Sequence, residues 1–514
     1  MNTAYANDMS DRQSIKRALL IFSGGTFLSR ITGLIRDISA AAFFTSSEND
    51  MWVVAFRIPN LLRGILAEGT TNMAVVPVLT DALKESRDKA KRVGNSIFTA
   101  FLFILLAVSI LGIIFTPQIV RLMVPDFANT PGKLSTTIEL TRIMFPYILL
   151  IGLTAFCMGS LNSIGHFFAS SIHPAFLNLS LIFFAYTSYM YEPRVKAIAY
   201  AVIVGGILQL LIHVPYLKKY DFMPQITFKF EVKELIKTWK LFAPSLLSIS
   251  VVPITVMMNT YFASIVGPGA ISHFFWSDRL VQFPIGIFAV ALGTAILPIL
   301  SRCSDNIEQL KSNYSYAFKI CTLFLLPATA GLMAIALPLV KVGFQHGHFN
   351  QVDTISTAGS LFFIMLTLYP SGIIRITVPL FYSMKDSLRP AIFSLIGLCV
   401  NLIICFSTVK YFGIRGISFA VSAASLCNAT MLLTYFSYKY SKLKPASLAF
   451  MLKMVAITAA TFIASYAVVR SRDWTTSGAF FHDAMYLFIA IAAGFAAFAA
   501  FSLLLGIRKE VQKP

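Results

Sequence analysis

Long apolar segments dominate this chain and decide what it can fold into. An α-helix needs about 20 apolar residues to cross the hydrocarbon of a bilayer. Fourteen runs of that kind follow one another along the chain, separated by short polar connections. They cover residues 18–44, 50–82, 94–116, 136–163, 170–191, 196–217, 241–266, 271–300, 314–342, 354–383, 389–410, 413–438, 447–469 and 480–506. The sequence therefore predicts an all-α polytopic membrane protein with fourteen transmembrane helices.

Charge alternates from one connection to the next. Basic residues concentrate in one set of connections, which includes 84–92, the long segment 218–240 and the C-terminal tail, whereas the opposite set begins with SSEND and is much less basic. By the positive-inside rule, both termini are expected in the cytoplasm, as an even number of spans requires. The formal net charge of +19 is then a consequence of topology, and we expect no nucleic-acid partner.

An internal repeat relates the two halves of the chain. AFRIPNLLRGILAEGTTNMAVVPVL in the second helix aligns with SDRLVQFPIGIFAVALGTAILPIL in the eighth, which pairs Arg57 with Arg279. SSIHPAFLNLSLI before the fifth helix aligns with DSLRPAIFSLIGL before the eleventh. Both offsets correspond to six helices, so the halves keep the same orientation, as in transporters that rock two bundles about a central site.

The repeat predicts a domain organisation with helices 13 and 14 as an addition. We expect two six-helix bundles around a central cavity, joined by a basic linker. The predicted boundaries are a cytoplasmic N-terminal tail (1–17), an N-lobe with helices 1–6 (18–217), a basic cytoplasmic linker (218–240), a C-lobe with helices 7–12 (241–438), helices 13 and 14 (439–506) and a cytoplasmic tail (507–514).

Arginines lie inside the apolar runs, where they are costly. Five unpaired arginines at the bilayer centre would cost more than roughly 10 kcal/mol. Three carboxylates lie near them, and so few cannot neutralise five guanidinium groups. A polyanionic substrate explains the excess, because guanidinium groups hold phosphate through paired hydrogen bonds. The arginines are Arg30, Arg36, Arg57, Arg63 and Arg279, and the carboxylates are Asp37, Asp50 and Asp278.

Another interpretation of these arginines remains open. They can pair with acidic residues, extend to lipid head groups or anchor helix ends. We favour this interpretation for Arg142 and Arg375, which lie nearer helix ends or lack a matching motif. Asp37 lies seven residues after Arg30 and so shares its helix face, which suits it to pair with a basic group of a neighbouring helix.

The sequence lacks the common motifs of enzyme active sites. It contains no GxSxG, P-loop or HExxH motif and no paired-carboxylate site. The pair His346 and His348 is more typical of a solvated loop than of a metal site. Hence we expect no catalytic residue, no metal and no cofactor, and a protein that is not an enzyme.

Several motifs together resemble the MurJ (MviN) family of bacterial lipid II flippases. They are SRITGLIRD, AFRIPNLLRGILAEG, FPYILLIGL, SDRLVQFPIGIFAVALGTAILP and FYSMKDSLRPA. The resemblance implies movement of lipid II, the undecaprenyl-pyrophosphate-linked peptidoglycan precursor, from the inner to the outer leaflet of the bacterial cytoplasmic membrane. It also implies a lipid-tail groove formed by helices 13 and 14. We expect a monomer that works near the cell-wall synthesis machinery.

The resemblance extends to individual positions, with two departures. The five arginines and three aspartates match basic and acidic positions of the family's cavity. Gln282 stands where a relative has Glu, and its neutral amide does not provide a charge switch. Some relatives have acidic sodium ligands where this chain has Asn259, Asn401 and Cys405, so sodium coupling is not supported.

Three other functions remain open on the sequence alone. An O-antigen-type flippase would share the fold and the charge. A multidrug or cation antiporter of the same superfamily would need acidic cavity residues, and the charge observed here is opposite. A membrane-embedded enzyme acting on polyprenyl phosphate would change its lipid chemically.

Overall fold

The computed structural model describes residues 24–512 except 26, 64–70, 250, 304–305, 440–445 and 475–479. The predicted N-terminal tail (1–17), the start of the predicted first helix (18–23), Gly64, Gly69 and the last two residues lie outside the described residues. Throughout the described part every regular element is helical, as expected. The chain divides into two compact units, Met1–Met257 and Met258–Pro514.

The first unit contains the helices of the N-terminal half. Ser86 caps α4 by accepting a hydrogen bond from the Lys89 amide at 3.1 Å. The helices are α1 (27–43), α2 (Ser46–Arg63), α3 (Thr71–Glu85), α4 (Arg87–Met123), α5 (Lys133–Met144), α6 (Tyr147–Ser163), α7 (Phe168–Tyr186), α8 (Lys196–Leu211), α9 (Val214–Lys219), α10 (Val232–Ile249) and α11 (Val251–Val266), in which the unit ends.

The second unit contains the remaining helices. Asn350 begins α16 with a reciprocal capping box, in which its side chain and that of Asp353 each bind the other's backbone N–H. The helices are α12 (Ala270–Pro284), α13 (Val290–Arg302), α14 (Ile307–Ala334), α15 (Ala336–Phe344), α16 (Gln351–Ile364), α17 (Leu368–Ser383), α18 (Leu388–Phe412), α19 (Ile414–Lys439), α20 (Leu448–Arg470), α21 (Phe480–Leu504) and α22 (Ile507–Gln512).

Eleven helical segments among the described residues are long and apolar enough to cross a membrane. The other predicted spans coincide with shorter helices: α1 for the first, α2 and α3 for the second, and the end of α10 together with α11 for the seventh. Large apolar side chains on α4 are exposed, including Ile110 (49%) and Phe115 (50%). In a membrane such surfaces face lipid, so the exposure indicates a bilayer environment.

Helix geometry changes near the prolines and glycines that interrupt the apolar runs. A π-helical turn, Ile285–Ala289, directly follows Pro284 and joins α12 to α13. Proline lacks an N–H and crowds the preceding turn, so the ladder shifts to wider spacing at that point. Gly372 in α17 has a different role: a Cβ there would collide with Leu325 of α14. This glycine therefore allows two helices to pack closely.

Candidate functional site

Arg36 lies at the centre of a polar network between α1 and α7. Its Nε and one terminal nitrogen contact Asp37 Oδ1 at 2.8 and 2.6 Å, and the other terminal nitrogen donates to Asn178 Oδ1 at 3.0 Å. Asn178 also donates to Ser29 O at 3.0 Å and to Thr32 Oγ1 at 3.1 Å. The Arg36 and Asp37 side chains are 11% and 5% exposed. The Arg36 guanidinium is thus held between two helices. A partner that the structure gives for Asp37 is Arg36, which belongs to the same helix.

Arg30 differs from Arg36 although both belong to α1. Its side chain is exposed, and within the described residues it has no carboxylate partner. A charged group of this kind in an apolar helix requires water or an anion. Of the α1 arginines, Arg30 is therefore the one available to a ligand.

Two arginines of α2 bind groups within the first unit. Arg57 is 8% exposed and donates to the Val256 carbonyl of α11 at 3.0 Å. Arg63 donates through Nε to Asn60 Oδ1 at 2.9 Å, one turn earlier on the same helix. Both of these bonds are to neutral acceptors, and they orient the two guanidinium groups.

Asp50 forms a buried ion pair with Lys133, which joins the start of α2 to the start of α5. Their charged atoms are 2.8 Å apart, and the side chains are 0% and 4% exposed. The Lys133 ammonium also lies 4.2 Å from the centre of the Phe127 ring. In this structure Asp50 is therefore placed inside the helix packing, where it neutralises a lysine.

In the second unit the candidate substrate-binding residues Asp278, Arg279 and Gln282 lie near the end of α12. The Arg279 guanidinium lies 5.0 Å from the centre of the Phe275 ring, one turn earlier. Asp278 and Arg279 are half-buried, and Gln282 is exposed. This part of α12 thus presents a cation, an anion and an amide within five residues, immediately before the π-helical turn.

Polar contacts fix α12 against α16 upstream of Arg279. The imidazole Nε2 of His273 shares a hydrogen bond with Asp353 Oδ1 at 2.9 Å. Ser277 donates to the His273 carbonyl at 2.8 Å and to the Thr357 carbonyl at 2.9 Å. All four residues are buried. This network gives the helix that bears Arg279 a fixed position within its unit.

Arg375 lies differently from the sequence interpretation, which favoured a helix-end or paired role. It occurs midway along α17 and lines a cavity of about 400 Å³ together with Gly293, Thr294 and Ser371. A Cβ at Gly293 would lie 2.8 Å from the Arg375 carbonyl oxygen, so the glycine permits α13 and α17 to approach closely. The cavity therefore has one strongly basic wall group.

Two amides and a thiol occupy the three positions considered above for sodium coupling. Asn401 of α18 donates to Asn259 Oδ1 of α11 at 2.8 Å, and Cys405 lies 4.0 Å from Asn401 Oδ1. Among the described residues there is no cluster of three or more His, Cys, Asp or Glu side chains able to hold a metal ion. This hydrogen bond between two neutral side-chain amides joins α11 to α18.

Sequence reasoning missed Lys133 and Asn178, which hold Asp50 and Arg36. Lys133 follows a Pro-Gly turn just outside an apolar run, and Asn178 lies in one of the two repeated motifs. The sequence shows Lys133 as a polar residue at the edge of a predicted helix and Asn178 as a polar residue inside one. Their partners are 83 and 142 residues away in sequence, so no local pattern predicts the pairing.

The many long apolar helices are those of a multi-pass membrane protein. The model of one family, "Lipid II flippase MurJ", matches residues 39–488. A probable lipid II flippase MurJ of Buchnera aphidicola subsp. Acyrthosiphon pisum is 32% identical over 486 residues, which is 92% of this chain and 94% of the relative. This chain belongs to the MurJ family of lipid II flippases.

Solved structures show the same fold. One described as "Lipid II flippase MurJ, inward closed conformation" has a TM-score of 0.78 at 24% identity and covers 95% of this chain and 99% of its own. An inward-facing multidrug resistance transporter of the MATE family, in the MOP superfamily, has a TM-score of 0.63 at 16% identity and covers 84% and 99%. The fold is thus shared with a multidrug resistance transporter.

Proposed function

We propose that this protein moves lipid II from the inner to the outer leaflet of the bacterial cytoplasmic membrane. Membership of the lipid II flippase family over most of the chain is the observation that carries this function. The charge supports it, since lipid II has a pyrophosphate and the embedded residues are predominantly basic. A transporter that binds and releases an unchanged lipid needs no catalytic group, in accord with the motifs of the sequence.

The proposed topology has fourteen transmembrane helices with both termini in the cytoplasm. Two six-helix repeats form the transport bundles, and helices 13 and 14 provide a groove for the lipid tail. The support is the repeat in sequence, the positive-inside bias and the eleven apolar spans of the described part. We propose that the monomer is the working unit and that it acts near the cell-wall synthesis machinery.

Substrate binding is assigned to the basic residues. Arg30, Arg57, Arg63 and Arg279 bind the pyrophosphate, with Arg30 as the residue most available for direct contact. Arg36 and Asp37 position α1, and Asp50 acts through its pair with Lys133. The repeat supports the inclusion of Arg57 and Arg279, because it makes them equivalent. Asp278 and Gln282 adjoin Arg279 and are proposed to contact the polar head group.

Alternating access moves the head group across the membrane. The inward-open state admits the pyrophosphate, the tail stays in lipid, and the two bundles then rock to release the head group outward. The membrane potential, negative inside, favours outward movement of the anion and return of an empty cationic site. Each charge moved contributes about 2.3 kcal/mol per 100 mV.

Leaflet accessibility of lipid II tests this function most directly. Cells depleted of the native flippase and supplied with this protein should expose lipid II at the outer surface, and the recovered lipid should be chemically unmodified. Loss of surface polysaccharide without lysis on depletion would instead indicate an O-antigen-type flippase. A modified lipid would indicate an enzyme.

Site variants test the assignment of Arg30. Arg30→Ala should abolish rescue at normal expression, whereas Arg30→Lys should retain part of it because the charge remains. Arg142→Ala is the matched control, since Arg142 is also an exposed arginine in a membrane-spanning segment and is outside the proposed site. Full rescue by both Arg30→Ala and Arg279→Ala would contradict the proposed site.

A further inference from the structure

The linker of residues 218–240 is attached to the first unit along α4. Its segment 222–231 contains no helix, and its backbone is bound by polar side chains of α4. The Gln225 amide donates to Asn95 Oδ1 at 2.9 Å, and the Thr227 amide donates to Thr99 Oγ1 at 3.0 Å. A third bond joins the Glu231 amide to Ser96. All three bonds are made by backbone amides of the linker, so they do not involve the linker side chains.

The three carboxylates of the linker are all paired with basic residues of α4. Glu231 contacts Arg92 at 3.1 Å, Glu234 contacts Lys89 at 3.4 Å, and Asp221 contacts Lys91. The linker acids are therefore already neutralised, and its own lysines need other partners.

The start of α10, which ends the linker, has three distinct faces. The inner face includes Thr238 (2% exposed) and Phe242 (4%). Val232, Ile236 and Trp239 follow one another at the spacing i, i+4, i+7 and so share one face. They are 60%, 51% and 50% exposed, although all three are large and apolar.

A row of lysines follows this apolar row one residue later. Lys233, Lys237 and Lys240 have the same spacing and therefore share the adjacent face of α10. Lys237 pairs with Asp81 at 2.7 Å. Lys233, Lys240 and the exposed Lys229 have no acidic partner within the part of the chain that the structure describes. An apolar row flanked by lysines is typical of a helix that lies in a membrane interface.

The exposed apolar row continues onto a surface that faces lipid. Phe228, 77% exposed, lies 6.4 Å (ring centres) from Phe103 of α4, which is 48% exposed. Trp239 stacks on Phe242 at 5.4 Å, and Phe242 lies 5.8 Å from Phe101. The linker therefore borders the apolar flank of a helix that crosses the membrane.

From this arrangement we infer that the 218–240 linker is an interfacial anchor that binds the anionic surface of the bilayer. Phe228, Ile236 and Trp239 enter the acyl region near the head groups, while Lys229, Lys233 and Lys240 contact anionic phospholipid head groups. The anionic bilayer is the occupant, because the surface combines exposed apolar groups with lysines that lack acidic partners. The inference does not depend on the transported substrate.

Trp239 provides a reporter within the protein. The chain has four tryptophans, and the others, Trp52, Trp276 and Trp474, are 2%, 0% and 4% exposed against 50% for Trp239. The Trp239 signal is the fluorescence of the wild type minus that of Trp239→Phe. The full-length protein is placed in nanodiscs that contain phosphatidylglycerol or phosphatidylcholine, one of them brominated on its acyl chains near the head group.

Both brominated lipids should quench Trp239, and brominated phosphatidylglycerol should quench it more at equal mole fraction. A lysine near an anionic surface contributes about fivefold in local association, so removal of three lysines should abolish the excess. The variant is Lys229→Gln, Lys233→Gln and Lys240→Gln. The matched control is Arg121→Gln, Arg194→Gln and Lys410→Gln, which removes three exposed charges from the other set of connections and should keep the excess.

Two results would overturn the inference. If acrylamide in the water phase quenches Trp239 and neither brominated lipid does, the linker faces water or a soluble partner. If the two lipids quench equally in the wild type, the linker has no preference for anionic head groups. The assay contains no lipid II, so its outcome is separate from that of the translocation test.

Discussion

The buried pair of Asp50 and Lys133 allows a quantitative test of how helix packing handles charge. Removal of one partner leaves an uncompensated buried charge, which costs about 3–5 kcal/mol. We expect Asp50→Asn and Lys133→Met each to lower the free energy of unfolding by this amount, because the side chains are 0% and 4% exposed. In the double variant neither charge remains, so its cost should be smaller than that of either single variant, because replacement of a whole buried ion pair by uncharged side chains is often close to neutral.

Equilibrium unfolding in mixed micelles measures these free energies. The control is Lys196 with Glu139, whose charged atoms are also 2.8 Å apart but whose side chains are 23% and 50% exposed. Glu139→Gln should cost no more than about 1 kcal/mol, because exposed pairs contribute little. Additive single costs for Asp50 and Lys133, or equal costs for the two pairs, would refute the argument from burial.

The same variants separate a packing role of Asp50 from a substrate role. If Asp50 acts through Lys133, the double variant should recover transport together with stability. If Asp50 instead binds the substrate, Asp50→Asn should abolish transport and the second substitution should not restore it. Lipid II accessibility measured beside unfolding distinguishes these outcomes.

Three further substitutions have defined outcomes. Gly112→Ala places a methyl group into the ring of Phe145, so unfolding should shift by about 1–3 kcal/mol toward lower stability. Asn178→Ala removes a bond to Arg36 and two bonds to α1 acceptors, and should cost about 1–3 kcal/mol with reduced transport. Burial and, to a smaller extent, the charge of a nearby lysine lower the pKa of His166 below its ordinary 6.5. The unfolded chain therefore binds the proton more readily, stability falls as the pH drops below 6.5, and His166→Phe should reduce that fall in unfolding measured across pH.

The helical architecture was predictable because a bilayer imposes a length and a composition on every span. Local sequence also accounts for one change in helix geometry, because Pro284 directly precedes the π-helical turn. The packing role of Gly372 was not predictable, since the collision of a Cβ there with Leu325 depends on a helix distant in sequence.

Charge pairing was much less predictable than helix position. The linker lysines look alike in sequence, yet Lys237 has an acidic partner and Lys233 does not. Pairing depends on the rotation of each helix and on the residues that face it, and neither is encoded within a short window. For the same reason Arg375 looked like a paired or helix-end residue until its place in the cavity wall of α17 was visible.

The pairing itself refines the argument for an anionic substrate. Composition indicated only that basic residues outnumber acidic ones inside the spans. In the structure Asp37 contacts Arg36, and Asp50 contacts Lys133, a cation outside the original arginine set. The acidic side chains nearest the first-unit arginines are therefore engaged in packing, while Arg30 is exposed without a carboxylate partner among the described residues. Since an exposed guanidinium in an apolar helix is stable only beside water or an anion, Arg30 is the first-unit arginine that we propose contacts the pyrophosphate directly.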